Sequence, residues 1–450
     1  MKKTFPLFFL LLSLSSLFAQ NYYMSAPEGF GVAATGGGTP TVSNTITVST
    51  YTALKNALNS TTTANSVILV SGVIDCVYTS VQLNNKTIIG LPGAKLRNTQ
   101  ITVGDVTLSK NNSGILYIKP SSKNVIIRNL IFEGPGAYDV DGRDNLTNEG
   151  TDVWVDHCEF QDGMDGNFDN KGEADNVTIS WCKFTYLKAP IPRNTTGFSN
   201  DHRFSNLVGS AKDDFNSADG RYSITFKNCY WAEGCKERMP RARNAELHIL
   251  NCYYKTSISG SLAIGLGGGN NNTTCYVENS NFETIGSVYQ NYSGDGGTVG
   301  VAFDGCINRA NSVTGIVSKP SYTYTVLPVA DVATYVPNAS CGAGATLQVT
   351  SSGVISACTN LGVNDNVANL DIQYFPTVIN NILNIEFSSI ENGKAVIEIF
   401  SPNGSKVYTT SKNVTGNEKL EVNIANITRG IYICKVQIEN RIKTFKILKG

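Results

Sequence analysis

The chain has 450 residues, with 36 basic and 36 acidic side chains and no formal net charge. That balance excludes a nucleic-acid binder working by bulk electrostatics, so any anion recognition has to be local. Forty-two glycines, many asparagines, 20 tyrosines and 19 phenylalanines, without long helical heptads, fit many short strands joined by turns.

The first segment, MKKTFPLFFLLLSLSSLFAQ, has a basic start at Lys2 and Lys3, an apolar run from Phe5 to Phe18 and a cleavage point at Ala19-Gln20. It reads as a signal peptide over residues 1–20. The apolar run is too short to span a bilayer comfortably, and no other stretch suits a membrane helix. The mature protein is expected to be exported and soluble. Eleven cysteines leave at least one unpaired, and no CxxC pair suggests zinc.

Next comes GFGVAATGGGTP, an irregular loop and not a phosphate cradle, because no strand precedes it and no GK[ST] follows. TYTALKNALNS has apolar residues at helical spacing (Tyr51, Leu54, Ala57, Leu58) and predicts a short helix that closes one end of the fold. GLGGGNNN, further on, reads as a loop.

From Val125 a theme repeats: VIIRNLIFEG, VWVDHCEFQD, VTISWCKFTY, ITFKNCYWAE, LHILNCYYKT and, more weakly, VENSNFET. Each copy has an apolar strand, a polar residue, a small or thiol residue and an aromatic. Leu130, Cys158, Cys182, Cys229, Cys252 and Ser280 are equivalent, at intervals of 28, 24, 47, 23 and 28 residues. The interval of 47 is read as two repeats, with an obscured coil near HRFSNLVGS. One strand theme per period and no intervening helices predict a parallel β-helix solenoid. Its cysteines form an inward ladder of free thiols, in preference to disulfides between adjacent coils.

The theme fades near Ser318. Cys341 to Cys358 can close a small disulfide loop, and TNLGVNDNVANLD reads as a linker. Alternating segments with an Asn403-Gly404 turn then predict a small antiparallel β-sandwich. The expected division is a β-helix domain over 21–347, a linker over 348–370 and the sandwich over 371–450.

Chemistry-bearing residues cluster in the middle of the chain. The three histidines (His157, His202, His248) show no metal-ligand spacing, no GxSxG elbow is present, and His157 is a coil residue with a hydrogen-bonded ring. AYDVDGRDNLTNEG holds Asp139, Asp141 and Asp144; DGMDGNFDNKGEAD holds Asp162, Asp165, Asp169, Glu173 and Asp175. On a straight strand Asp165 and Asp169 would stand about 13 Å apart, but the Asp165-Gly166 turn can gather them. The two acidic stretches lie about one coil apart. They favour a hard cation over a row of solvated turns, with a third carboxylate such as Asp144 completing the site. RMPRAR packs three arginines into six residues of a neutral chain.

In this order, DVWVDHCEF, DGNFDNKGEADNVTISWCKF and RMPRAR resemble pectate lyase family 1, the pectate lyase/Amb allergen group, from about Gly29 to Leu347. The resemblance implies a right-handed parallel β-helix and calcium-dependent β-elimination on α-1,4-polygalacturonate. By motif, Arg238 matches the catalytic base and Arg243 a substrate-carboxylate ligand. Asp165 and Asp169 match calcium ligands. Asp144 best matches the ligand ahead of the WVDH strand, although an ungapped alignment puts that position on Gly142, with Asp141 as the other candidate. Lys188 is near the family's substrate lysine, and Arg241 has no assigned role. The tail, with FPT…LNI, IFSPNGSKV, GIYICKV and KTFKILKG, resembles sorting domains of the type IX (Por) secretion system.

The expectation is a secreted or cell-surface monomer that binds polygalacturonate and the type IX machinery, not nucleic acid, and releases 4,5-unsaturated oligogalacturonides. The competing readings are a pectin lyase on methyl-esterified pectin, a polygalacturonase whose motifs are absent, and a non-catalytic pectin-binding β-helix.

Overall fold

The computed structural model describes residues 22–193, 201–356, 358, 372–376, 378–387, 391–401, 405–416, 419–438 and 441–450. The expected signal peptide, the TNLGVNDNVANLD linker and the Asn403-Gly404 turn lie outside these residues. The chain divides into two units, residues 1–359 and 360–450.

The first unit is a right-handed parallel β-helix of three sheets, with 11, 8 and 8 strands. Every pairing in the two eight-stranded sheets is between successive coils. In the first sheet only the last pair, Val299–Asp304 with Ser312–Thr314, is antiparallel. The repeated theme is the corner between the first and third sheets. The residue at each corner takes a left-handed conformation: Asn129, His157, Trp181, Asn228, Asn251 and Asn279 have φ between 44° and 57°. Asparagine tolerates this region better than most side chains, which gives the abundant asparagines a purpose.

The next residue on each coil points inward. Cys158, Cys182, Cys229 and Cys252 are free thiols with no exposed surface. The aromatics that follow also stack up the core: Phe132, Phe160, Phe184, Trp231, Tyr254 and Phe282 have successive ring centroids 4.5–5.6 Å apart. Each ring is buried, so the stack supplies much of the apolar area that holds the coils together.

Helix Tyr51–Asn59 is capped by the Thr50 hydroxyl, which accepts from Ala53 N at 3.3 Å, and it buries Leu54, Ala57 and Leu58. Cys341 and Cys358 are disulfide-bonded, with Cα atoms 5.6 Å apart.

One expectation is corrected. The 47-residue interval is a single coil, because Val177–Ser180 pairs directly with Ile224–Lys227. Leu207–Val208 supplies only that coil's strand in the second sheet. The surplus residues fall in two places, an excursion between Thr185 and Leu207 and a longer turn between Val208 and Tyr222, and no strand is added to the first sheet.

The second unit holds a three-stranded sheet (Ile372–Phe375, Ile382–Phe387, Leu420–Asn423) and a five-stranded sheet built on Glu391–Phe400, Lys406–Gly416, Gly430–Ile438 and Arg441–Lys449. Apart from the parallel contact of Val378–Ile379 with the last strand, these pairings are antiparallel. Ile385, Ile397, Ile399, Val414 and Val436 fill the core of this sandwich.

Candidate active site

The site lies on the outer face of the second sheet. On strand Phe168–Asn170, Phe168 and Asn170 are fully buried and point inward, so Asp169 points out. It sits beside Thr147 on the preceding coil. Two coils further on, Arg241 pairs in register with Leu207 and Gly265.

Asp144 and Asp165 stand just ahead of neighbouring strands of this sheet. The backbone ties their turns together, Asn145 N donating to Gly166 O at 3.2 Å. Gly166 lies between the two aspartates that face the sheet. A Cβ there would sit 2.8 Å from Asp144 Oδ1 and 3.1 Å from Asp169 Oδ1. Asp144 Oδ2 accepts from the Thr147 hydroxyl at 2.8 Å, while its buried Oδ1 has no hydrogen-bond partner. Asp169 Oδ1 accepts from Leu207 N at 2.9 Å.

Burial pushes Asp169 well above the ordinary carboxylate range, and the neighbouring Asp144 charge adds to it. Burial and the Asp165 charge raise Asp144, against the pull of Lys171. Burial also opposes the ionisation of Asp165, but His202, Arg238 and Lys171 outweigh it and hold that carboxyl low. Arg238 acts electrostatically on all three carboxylates.

Two side chains that sequence reasoning missed belong to this cluster. Lys171 Nζ lies 3.8 Å from Asp144 Oδ2. Burial opposes its charge, yet Asp144, Asp169, Asp165 and Glu149 raise its pKa. Its position two residues after Asp169, on the same face of an extended segment, was a readable signal. His202 comes from the excursion and brings Nε2 to 2.7 Å from Asp165 Oδ1 and Nδ1 to 3.5 Å from Asp139 Oδ1. Neither contact has hydrogen-bond alignment, and each is an ion pair only when the imidazole is protonated. Phe204 follows on the same segment, and the Arg238 guanidinium lies 4.4 Å from its ring centroid.

The carboxylates fit a calcium ion. The donors are hard oxygens, one buried oxygen lacks a partner, and a side-chain-free residue leaves a cradle between two of them. Among the described residues, no three metal-ligating side chains are already closed around one position; Asp165 is engaged by His202.

The remaining expected residues divide. Arg238 and Arg243 share a cavity of about 380 Å³ with Arg241, Glu237, Tyr292 and Asp295. Lys188 is not brought to the cluster: its Nζ donates to Gly134 O at 2.7 Å and lies 3.5 Å from Glu133 Oε1 and 3.8 Å from Asp162 Oδ2. Asp141 is exposed and ion-paired with Lys110, outside the cradle. Asp139 lies on the other ring nitrogen of His202, 3.5 Å from Nδ1. His157 is a buried coil residue, its Nδ1 2.9 Å from Asp156 Oδ2.

Two larger cavities, about 580 and 480 Å³, lie under the Tyr23–Glu28 segment against the first sheet. Their cations are already engaged, Lys227 with Glu28 and Arg128 with Asp156 at 2.8 Å.

Comparison with known proteins bears on the family and the fold. Residues 9–366 match the family model for pectate lyases. Residues 373–449 match the secretion system C-terminal sorting domain, which directs the protein to the cell surface or the extracellular space. A pectate trisaccharide-lyase of Thermotoga maritima is 35% identical over 193 residues, 40% of this chain and 43% of the relative. A pectate lyase of Bacillus subtilis is 30% identical over 275 residues, 50% of this chain and 58% of the relative. The chain thus spans about half the length of the curated relatives it matches.

Among solved structures, a mutant Bacillus subtilis pectate lyase superposes with a TM-score of 0.54 at 22% identity, covering 74% of this chain and 99% of that one. A Paenibacillus pectate lyase gives 0.53 at 19%, covering 71% and 96%. These two likenesses speak for the fold alone. With a family model covering most of its length, the chain belongs to the pectate lyase family.

Proposed function

We propose that this protein is an exported, calcium-dependent pectate lyase. It cleaves α-1,4-linked polygalacturonate by β-elimination, releases 4,5-unsaturated oligogalacturonides, and leaves the cell through the type IX machinery. The observation that carries the reading is the convergence of Asp144, Asp165 and Asp169, from two adjacent coils, with the field of Arg238 from a third.

Asp144, Asp165 and Asp169 are the residues that would hold calcium, with Asp165 released from His202. When bound, the ion supplies positive charge to the C6 carboxylate of the sugar and so acidifies the proton at C5. Lys171 is a fixed cation in the same cluster and favours the uronate over a neutral sugar.

Arg238 is the base. Its guanidinium lies against the Phe204 ring, which shields one face from water and fixes the plane of the fork. As the neutral guanidine, its extra proton lost to hydroxide, Arg238 takes the C5 proton, the C4–C5 double bond forms as the C4–O bond breaks, and the departing oxygen takes a proton from water. A guanidinium is charged at neutral pH, so turnover is expected to rise with alkalinity.

Arg243 contributes a further cation to the groove, and Lys188, held here by Glu133 and Gly134, would act as a substrate ligand on leaving them. The test is the ultraviolet absorbance of unsaturated product from polygalacturonate at alkaline pH, with calcium and with a chelator. No product in the presence of calcium would sink the proposal, and product that persists in chelator would remove the calcium requirement.

A further inference from the structure

The motif match gives Arg243 to a substrate carboxylate, yet in the fold a carboxylate of the chain itself already sits there. Asp295 is ion-paired with Arg241 and lies 3.0 Å from Arg243 Nε. Arg243 Nη1 donates to Gly209 O at 3.1 Å and Ser210 O at 3.4 Å. Nη1 is therefore committed to the backbone, and Nε faces Asp295 as a charge contact without a hydrogen bond. Arg241 is held from the other side as well, its guanidinium 3.7 Å from the Tyr292 ring centroid.

The backbone is shaped for this arrangement. Asp295 ends a short turn that follows strand Ser287–Asn291 and lies down on strand Leu262–Leu266 and the residues after it. A Cβ on Gly265 would come 2.8 Å from the Tyr292 ring, and one on Gly267 would come 2.1 Å from Asp295 Oδ2. Bare backbone at both places is what lets the turn reach the arginines. Together with Glu237, Asp295 sets two carboxylates against the three guanidiniums of RMPRAR around one cavity.

Building on the pectate lyase reading, we propose that Asp295 is a specificity-determining residue. It makes the part of the groove at Arg241 and Arg243 take a uronate whose C6 group is methyl-esterified about as readily as the free acid. A free carboxylate arriving there must share Arg243 with Asp295, two like charges in a partly buried site. An ester brings no charge and asks for one donor. The subsite at Asp144, Asp165 and Asp169, in contrast, keeps its demand for a free carboxylate. The favoured substrate is then a chain carrying acid and ester side by side.

The test compares wild type with Asp295→Asn. Each is titrated calorimetrically, in calcium, with hexagalacturonate and with its partly methyl-esterified counterpart, and product absorbance is followed in parallel. The expected result is that the variant tightens on the free acid by about fivefold, the size of a partly exposed ion pair, while its affinity for the ester stays unchanged. Asp295→Ala should shift the acid-to-ester ratio in the same direction. Equal shifts for both ligands, or none, would overturn the proposal, since mere loosening of the arginines moves both together. Binding without product in wild type would instead overturn the lyase reading, and the affinity ratio would still decide the role of Asp295.

Discussion

Asp144 and Gly166 are in contact where a side chain would normally intervene: a Cβ on Gly166 would stand 2.8 Å from Asp144 Oδ1. The same atom would crowd Asp169 Oδ1 at 3.1 Å, so one missing methyl keeps two carboxylates within reach of a single ion. Gly166→Ala should push them apart and weaken calcium binding by about tenfold or more, which titration calorimetry reads directly. An unchanged affinity would count against a site at Asp144 and Asp169.

The carboxylates should also declare themselves without calcium. Asp169 is raised by burial and by Asp144, so the native state keeps a proton that the unfolded chain has released. Stability in chelator should therefore fall as pH rises from the ordinary carboxylate range through the raised value. Asp169→Asn removes the penalised charge and should flatten that fall, while abolishing the gain in melting temperature that calcium gives wild type. Urea unfolding at pH 4 and pH 8 checks the slope. A parallel decline in both proteins would mean that the charge on Asp169 is not the cause.

The periodic part of the molecule was legible because a β-helix writes each coil in the same alphabet. The Cys158, Cys182, Cys229 and Cys252 ladder announced both the stacking and the direction of the side chains. The 47-residue interval misled, because an excursion and an extra coil add length alike, and only the pairing of Val177 with Ile224 separates them. The added length also hid His202 and Phe204, although Phe204 pairs with Glu237 on the next coil. Motif order named Asp144, Asp165, Asp169 and Arg238, which the fold brings into one electrostatic cluster. Asp295 was not legible, since it reaches Arg243 across more than 50 residues, through a turn that depends on two glycines of the intervening coil.

Glu278 offers a test of the wall opposite the site. It accepts from Lys319 Nζ at 2.6 Å and Tyr324 Oη at 2.6 Å, with His248 Nε2 3.5 Å away, and so pins the 319–324 segment onto strand Thr273–Glu278. Burial works against its charge, but His248, Lys319 and Tyr324 bring it down to about 2. A depressed carboxyl contributes stability above the unfolded value of about 4.3 and loses it as pH falls toward the folded value. Glu278→Gln should cost about 1–3 kcal/mol at pH 7. The gap from wild type should close as the pH is lowered below 4. A gap that stays constant with pH would make the loss one of packing and not of charge.

Arg238→Lys asks whether the chemistry depends on a guanidinium or only on a positive charge. The arginine lies 4.4 Å from the Phe204 ring centroid and acts on all three carboxylates, and its own backbone has φ 58°, which fixes the start of the side chain. Lysine keeps the charge, and with it most of the attraction for a polyuronate. It has no planar fork to lie on Phe204 and hold a nitrogen at the C5 proton. Loss of a positioned base lowers turnover by about 10²–10⁴-fold, so kcat should fall within that range while calcium and oligogalacturonate binding stay near wild type. Phe204→Ala, which keeps Arg238 but removes the surface it lies on, should fall between the two proteins in kcat. If Arg238→Lys retains full turnover, Arg238 is an electrostatic element and the base must be sought elsewhere in the groove.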